Sequence, residues 1–294
     1  MELRHIRYFL AVAEERNFTR AAARLGIGQP PLSQQIRDLE RELGAPLFHR
    51  LPHGAALTES GRAFLVEAES VVAAAERAKL AAQRAARGEA GLLAIGLTGS
   101  AAFHPIVTRT IRNFRRRYPT VQIKLEELNT MGLLDQLRRE ELDAIFLRPG
   151  LQELDGLHLH RLPDESMVAA IPKAHPLATS RSIALAALAQ EPLILFPPAI
   201  GLSLYHEVLS ACREAGFEPI TSQIAPQIAS GLSLVAAELG IAIVPQSIAQ
   251  IAMRGIAYRR ITDFVPVARL ALATRTGREP ALLRNLIQTL NGAL

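Results

Sequence analysis

Apolar side chains recur at three- and four-residue steps at Leu3, Ile6, Phe9, Leu10 and Ala13, which predicts an amphipathic helix over residues 2–15. Asn17 and Thr19 both suit the N-cap of a short second helix, Thr19–Leu25, whose Ala21 and Ala22 allow another helix to approach closely. Gly26 stands where a helix C-cap glycine belongs, and Gly26-Ile27-Gly28-Gln29 has the length of a tight turn. Pro30 and Pro31 fit a first helical turn. A third helix follows, with Leu32, Ile36, Leu39 and Leu43 on one stripe and Gly44 at its end.

Two helices joined by a tight, glycine-bearing turn are a helix-turn-helix by arrangement, although spacing alone equally allows three helices of an ordinary bundle. In a helix-turn-helix the second helix enters the major groove by its N-terminal end. That would turn Gln29, Ser33, Gln34 and Arg37 outward, and these residue types read adenine, read guanine or hold a phosphate. Short strands around Pro52–Gly54 would form a wing that carries Arg50 and His53 to the DNA backbone.

The residues themselves separate the two readings. Phe18 to Arg50, followed by Leu57-Thr58-Glu59-Ser60-Gly61, resembles the winged helix-turn-helix of LysR-type transcriptional regulators without a gap over residues 1–62. The run from Gln29 to Glu40 is the most specific part of that match. The resemblance implies double-stranded operator DNA as partner. It implies DNA-binding roles for Thr19, Gln29, Pro30, Pro31, Ser33, Gln34 and Arg37, and a phosphate contact for Arg50. Several relatives carry arginine where this chain has His53, and a histidine is mostly neutral above about pH 7.

Thr58 can cap a long helix, with Glu59 placed well for its dipole. Phe64, Leu65, Ala68, Val71, Val72, Ala75 and Ala78 line one side, and Glu59–Arg87 would span roughly 40 Å. Such a stripe needs something to pack on, either its own domain or another helix. In the family the matching helix pairs with that of a second subunit, so the resemblance implies a homodimer, and a dimer of dimers (a homotetramer) on a longer operator. Gly88 and Gly91 bracket a hinge.

From Leu92 the texture alternates between β and α. Strands are expected at Leu92–Leu97, Val121–Leu128, Leu142–Leu147, Ser166–Ile171, Leu193–Phe196, Gln223–Ala225, Ile241–Val244 and Val267–Ala273. Helices are expected at Phe103–Tyr118, Thr130–Arg139, Ile183–Ala189, Leu202–Ala215, Gln227–Leu239 and Ala281–Leu290. This is the rhythm of a mostly parallel sheet covered by helices. Two α/β lobes joined by crossings near Arg161–Pro163 and Val265–Ala268 would enclose a cleft. The pattern resembles the family's effector-binding region, which shares its two-lobed fold with type II periplasmic solute-binding proteins. The expected organisation is an α/β protein in five parts. Residues 1–58 are the winged helix-turn-helix, 59–87 the linker and dimerisation helix, and 88–91 the hinge. Residues 92–162 with 268–294 form one lobe and 163–267 the other.

Ligands of open α/β sheets collect at the C-terminal ends of strands. Ser100, Asn129 and Thr130 follow such ends and open helices, where backbone amides attract an anion, though they also suit plain helix caps. Arg148 follows a third strand and could take a carboxylate bidentately, or serve in an ordinary ion pair. Phe196, Leu202 and Leu204 offer an apolar wall, and Gln227 and Ile228 begin a helix. A small carboxylate effector with an apolar body fits that set. The sequence is most similar to family members that sense aromatic acids, phenylpropionate-type compounds or muconate. In those, positions matching Ser100, Thr130, Phe146, Leu202, Leu204 and Ile228 surround the effector, although the segment of Leu202 and Leu204 differs from several relatives.

Composition narrows the alternatives. A 49% hydrophobic, 21% charged chain of 294 residues is globular and holds two or three domains. One cysteine, Cys212, excludes a disulfide framework, and the charged N-terminus is unlike a signal peptide. The longest uncharged stretch, Pro219–Ala237, contains two prolines and is unlike a membrane span, so no membrane partner and a cytoplasmic location are expected. His158 and His160 share a face but have no further ligands at metal spacing, so no metal is expected. No catalytic set is evident around Ser100, His104 or Cys212, so neither an enzyme nor a cofactor is expected. The net charge of +5, carried by 30 Arg and 3 Lys, is not concentrated in the head, where residues 1–62 hold nine Arg against seven acids. The implied function is a transcriptional regulator that binds operator DNA, contacts RNA polymerase and answers to a small effector. A solute-binding component or a small α/β enzyme with an interaction domain are the competing classes.

Overall fold

The computed structural model describes residues 1–51, 54–150, 154–277 and 279–294, and their side chains except those of 198–202. The chain divides into two compact units, Met1–Arg84 and Ala85–Leu294.

The first unit begins with α1 (Leu3–Glu15), α2 (Phe18–Leu25) and α3 (Gln29–Leu43). Asn17 is the cap of α2, its Oδ1 accepting from the amides of Thr19 (2.9 Å) and Arg20 (3.1 Å). Phe9, Val12, Ala21, Leu32, Ile36 and Leu39 close one core, which the two small alanines let the helices share at short range. The antiparallel wing follows as β1 (Phe48–Leu51) and β2 (Gly54–Leu57). Then comes α4 (Glu59–Ala86), capped by Thr58, whose Oγ1 accepts the Gly61 amide at 2.8 Å. Phe64, Leu65, Ala68 and Val72 of α4 pack on that core, with Phe64 edge-on to Phe9. Val66, Val71 and Leu80 stay exposed. The predicted stripe is therefore divided, and Val71 belongs to its uncovered part.

The second unit has two sheets. Its first half supplies β3 (Gly91–Leu97), α5 (Pro105–Arg117), β4 (Val121–Glu127), α6 (Thr130–Arg138), β5 (Ala144–Leu147) and β6 (Leu157–Arg161). Then come β7 (Glu165–Pro172), β8 (Ser182–Ile183), β9 (Pro192–Leu195), α7 (Pro198–Glu214), β10 (Ile220–Ile224) and α8 (Ile228–Ala236). The chain ends with β11 (Ile241–Pro245), β12 (Ile256–Ile261), β13 (Val267–Ala268), β14 (Ala271–Arg275) and α9 (Ala281–Asn291). Among the described residues one sheet runs β4-β3-β5-β14-β6, and the other runs β10-β9-β11-β7-β12-β8 with β13 on β7. Each sheet carries an apolar cluster on both faces, which explains the near-continuous apolar runs of β5, β7 and β11.

Four expectations need correction. The sheets are mixed rather than mostly parallel: β14 runs antiparallel to β5 and β6, and β7 antiparallel to β11, β12 and β13. The single strand expected at Val267–Ala273 is split, because β13 pairs with β7 in one sheet and β14 with β5 in the other. The helix expected at Ile183–Ala189 is a strand followed by a 3-10 turn over Leu185–Leu188. Its start is tied to the far side of β12, where Asp263 Oδ1 accepts the Leu185 amide at 2.6 Å. The helix expected from Phe103 starts at Pro105, because His104 Nδ1 accepts the Ile106 amide and caps it there. Strand β12 was missed, since adjacent Arg259 and Arg260 interrupt its alternation.

Gly88 is buried with φ of +67° against the first turn of α9, where a β-carbon would lie 2.4 Å from the Leu282 amide nitrogen. Asn285 Nδ2 donates to the carbonyls of Arg87 (2.9 Å) and Gly88 (3.0 Å), so the entry to the second unit is held by α9.

Candidate functional site

The head presents Thr19, Pro30, Pro31, Gln34, Arg37 and Arg50 to solvent, with Gln29 half-buried. Five of them, Gln29, Pro30, Pro31, Gln34 and Arg37, lie on α3, whose other side is buried in the core of the head. Gln34 is held by its neighbours: Arg37 Nη2 donates to its Oε1 at 2.6 Å, and its Nε2 donates to Asp38 at 2.9 Å. Ser33 departs from expectation. It is buried on the Leu32 side of α3, and its Oγ accepts from Gln29 Nε2 at 2.8 Å. It steers Gln29 rather than facing outward. His53 lies outside the described residues. The Arg50 guanidinium stands 5.3 Å from the centre of the Phe18 ring, which fixes the wing cation while leaving its edge exposed.

The wing has a second anchor. Glu40 Oε1 accepts from the amides of Leu47 (2.8 Å) and Phe48 (3.2 Å), joining the end of α3 to the start of β1. Its signal in the sequence is a carboxylate in the last turn of a helix, where the dipole disfavours negative charge.

In the second unit a cavity of about 250 Å3 lies between the two sheets. It is lined by Thr98, Gly99, Ser100, Glu127, Leu128, Asn129, Thr130 and Arg148 from one side, and by Phe196, Leu204, Gln227 and Ile228 from the other. Eight of these were expected: Ser100, Asn129, Thr130, Arg148, Phe196, Leu204, Gln227 and Ile228. The side chain of Leu202 lies outside those described. Phe146 is not in the lining. It is fully buried in the core of the first sheet with Leu93 and Ile95, because residues alternate faces along β5. Thr98, Gly99, Glu127 and Leu128 went unpredicted, although all stand at the ends of β3 and β4.

Donors dominate one side. Asn129 Oδ1 takes only the Gly132 amide (2.8 Å), so the first-turn amides of Thr130 and Met131 keep no partner among the described residues. Thr98 is 5% exposed, and its buried Oγ1 also lacks a partner. Arg148 takes the second of its two expected readings, since its cation is already paired. Its Nε donates to Ser100 Oγ at 2.8 Å and its Nη2 to Glu165 Oε2 at 3.2 Å, with both ionic side chains nearly buried. Glu165 Oε1 also accepts the Ser247 amide, so the pair joins elements of both sheets. His104 is buried beside this network. Burial pushes its pKa below the ordinary value of 6.5; Glu165 opposes the shift, while Arg148 and Arg109 reinforce it. Other candidate chemistry is weak. Burial pushes the Cys212 thiol up to about 11, away from reactivity, and the described residues contain no cluster of three metal-ligating side chains. No described helix is long and apolar enough to cross a membrane.

Residues 3–62 match the family model of the bacterial regulatory helix-turn-helix protein, lysR family, and residues 86–294 match the LysR substrate binding domain. The chain is 41% identical over 275 residues to the HTH-type transcriptional regulator BudR of Raoultella terrigena, covering 94% of this chain and 95% of that one. The crystal structure of CbnR, a LysR family transcriptional regulator, is similar with a TM-score of 0.90 at 28% identity, covering 99% of this chain and 100% of CbnR. Full-length CbnR complexed with its target DNA matches with a TM-score of 0.87 at 28% identity, over 100% of this chain and 99% of that one. The exposed helix-turn-helix surface, the cavity between two α/β sheets and these matches together make the chain a member of the LysR family: a DNA-binding transcriptional regulator with an effector-binding domain.

Proposed function

We propose that this regulator senses a small carboxylate with an apolar body in the cavity between the two sheets. The observation that carries the reading is a cavity that sets Ser100, Thr130 and the first-turn amides of α6, which keep no partner among the described residues, opposite the apolar Phe196 and Leu204. Ser100, Asn129, Thr130, Leu204, Gln227 and Ile228 surround the ligand, and Arg148 acts through its pair with Glu165. No bond of the ligand is made or broken, and no cofactor takes part.

In the head, Gln29, Gln34 and Arg37 read base edges, Thr19, Pro30 and Pro31 approach the backbone, and Arg50 holds a phosphate. Residues 1–58 form the DNA-reading domain, 59–87 the linker, 88–91 its exit, and 92–162 with 268–294 and 163–267 the two lobes. The exposed Val66, Val71 and Leu80 of α4 support pairing with a second copy. Two heads then meet successive major grooves, and a dimer of dimers spans a longer operator in the cytoplasm. A ligand preferring one lobe arrangement shifts the assembly by its difference in affinity, and so alters contact with RNA polymerase. A gel shift with the region upstream of the chain's own gene tests the DNA reading. Sequence-specific binding at moderate salt is expected, and folded protein that binds all sequences alike would refute it. Titrating carboxylates of graded size into the protein tests the cavity.

A further inference from the structure

Arg16 is an arginine of the head whose guanidinium makes no bond within it. It follows the last turn of α1 in the left-handed conformation, with φ of +50° and ψ of +24°, and its amide closes that turn on the Val12 carbonyl at 2.9 Å. A β-carbon is disfavoured there, and α2 and α3 end in the same conformation on Gly26 and Gly44. Arg16 is exposed, and its side chain has no hydrogen bond or ion pair among the described residues. The two acids before it are taken, Glu14 by Arg24 at 2.6 Å and Glu15 by Arg20 and Arg24, each at 3.4 Å.

The backbone sets Arg16 at the base of the wing. Its carbonyl accepts the Ala55 amide at 2.8 Å, and a β-carbon on Gly54 would lie 2.6 Å from the same oxygen, so β2 is pressed against the end of α1. Ala55 is the register partner of Arg50 across the hairpin. Two residues after Arg16, Phe18 carries the Arg50 guanidinium at 5.3 Å, and the exposed Thr19 comes next. Arg16 and Arg50 are thus two exposed cations, neither with an acidic partner among the described residues, joined by one short path of backbone. Resting on the placement of DNA against Thr19 and Arg50 above, we propose that Arg16 is a further backbone-contacting residue of the head, holding a DNA phosphate beside the one taken by Arg50. A guanidinium offers a phosphate two parallel N–H donors. A residue kept where glycine sits more easily, and without a partner inside the protein, gains from a partner outside it.

The test is anisotropy titration of the full-length protein on two labelled duplexes of equal length, the region upstream of its own gene and an unrelated sequence, from about 50 to 300 mM KCl. Arg16→Gly should weaken binding several-fold on both duplexes and make the salt dependence shallower by about one unit of slope for each head bound. Its urea midpoint should equal or exceed the wild-type value, because glycine adopts the left-handed conformation freely. Arg16→Lys keeps the charge and should retain most of the wild-type slope, which a purely structural role for the arginine does not predict. Arg50→Ala, made in parallel, separates the inference from the reading it rests on. If that variant binds as wild type while Arg16→Gly loses affinity and slope, the Arg50 contact fails and the Arg16 contact stands. Wild-type affinity and slope in Arg16→Gly would overturn the inference. So would a loss confined to the upstream region with the slope unchanged, or an equal loss of slope in Arg16→Lys.

Discussion

The head and the cavity solve recognition in opposite ways. The head exposes its candidate readers on one short stretch, and their supporting bonds are local: Gln29 to Ser33, Arg37 to Gln34, and Gln34 to Asp38. The cavity draws its walls from segments up to about a hundred and thirty residues apart, and Arg148 of its lining is held in a buried ion pair with Glu165. A surface held by neighbours along a helix tolerates loss of one side chain with graded effect. A buried pair does not, because each partner depends on the other for its charge.

The largest effect should follow Glu165→Ala, which leaves Arg148 buried without its counter-ion. A loss of about 3–5 kcal/mol of stability is expected, read by urea unfolding. Replacing both residues by apolar ones of similar size should restore most of it. A single variant as stable as wild type would show that the pair is solvated, and the contrast with the head would fail.

Ser33→Ala should have a smaller effect, because it frees Gln29 without exposing a charge. Specific operator affinity should fall by about 1 kcal/mol, several-fold, while binding to unrelated DNA stays level. An equal loss on both DNAs would mean that Ser33 supports the fold and not the reading of bases.

The smallest effect concerns pH. The folded pKa of His104 lies below its ordinary 6.5, so the unfolded chain binds the proton more readily. Stability of the second unit should then be full above about pH 6.5 and decline as pH falls through the folded pKa. His104→Gln should flatten that decline in unfolding curves taken from pH 7.5 to 5. A stability that rises on acidification would reverse the assignment.

What was legible in the sequence follows the same division. Helix periods, the Asn17 cap, Gly26 and the prolines of α3 act over a few residues, so they located the head to within a residue or two. Ser33 was misplaced because a polar residue in a first turn looks exposed until the packing of Leu32 shows which side is covered. In the second unit the strand ends pointed to Ser100, Asn129 and Thr130. Phe146 was expected there only through the resemblance, and its own strand sets it in the core of the first sheet, away from the cavity lining. Glu165 was invisible: no local rule links it to Arg148, seventeen residues away across a crossing between sheets.

The sequence by itself determined the family and the helices of the head, since these rest on local spacing and on a specific run of residues. Only the tertiary structure decided that Arg148 is already paired, that Ser33 faces inward, and that Phe146 lies in the core rather than in the cavity lining. Those facts are about desolvation and about which charges meet, and both depend on chain segments brought together by folding rather than on neighbours in the sequence.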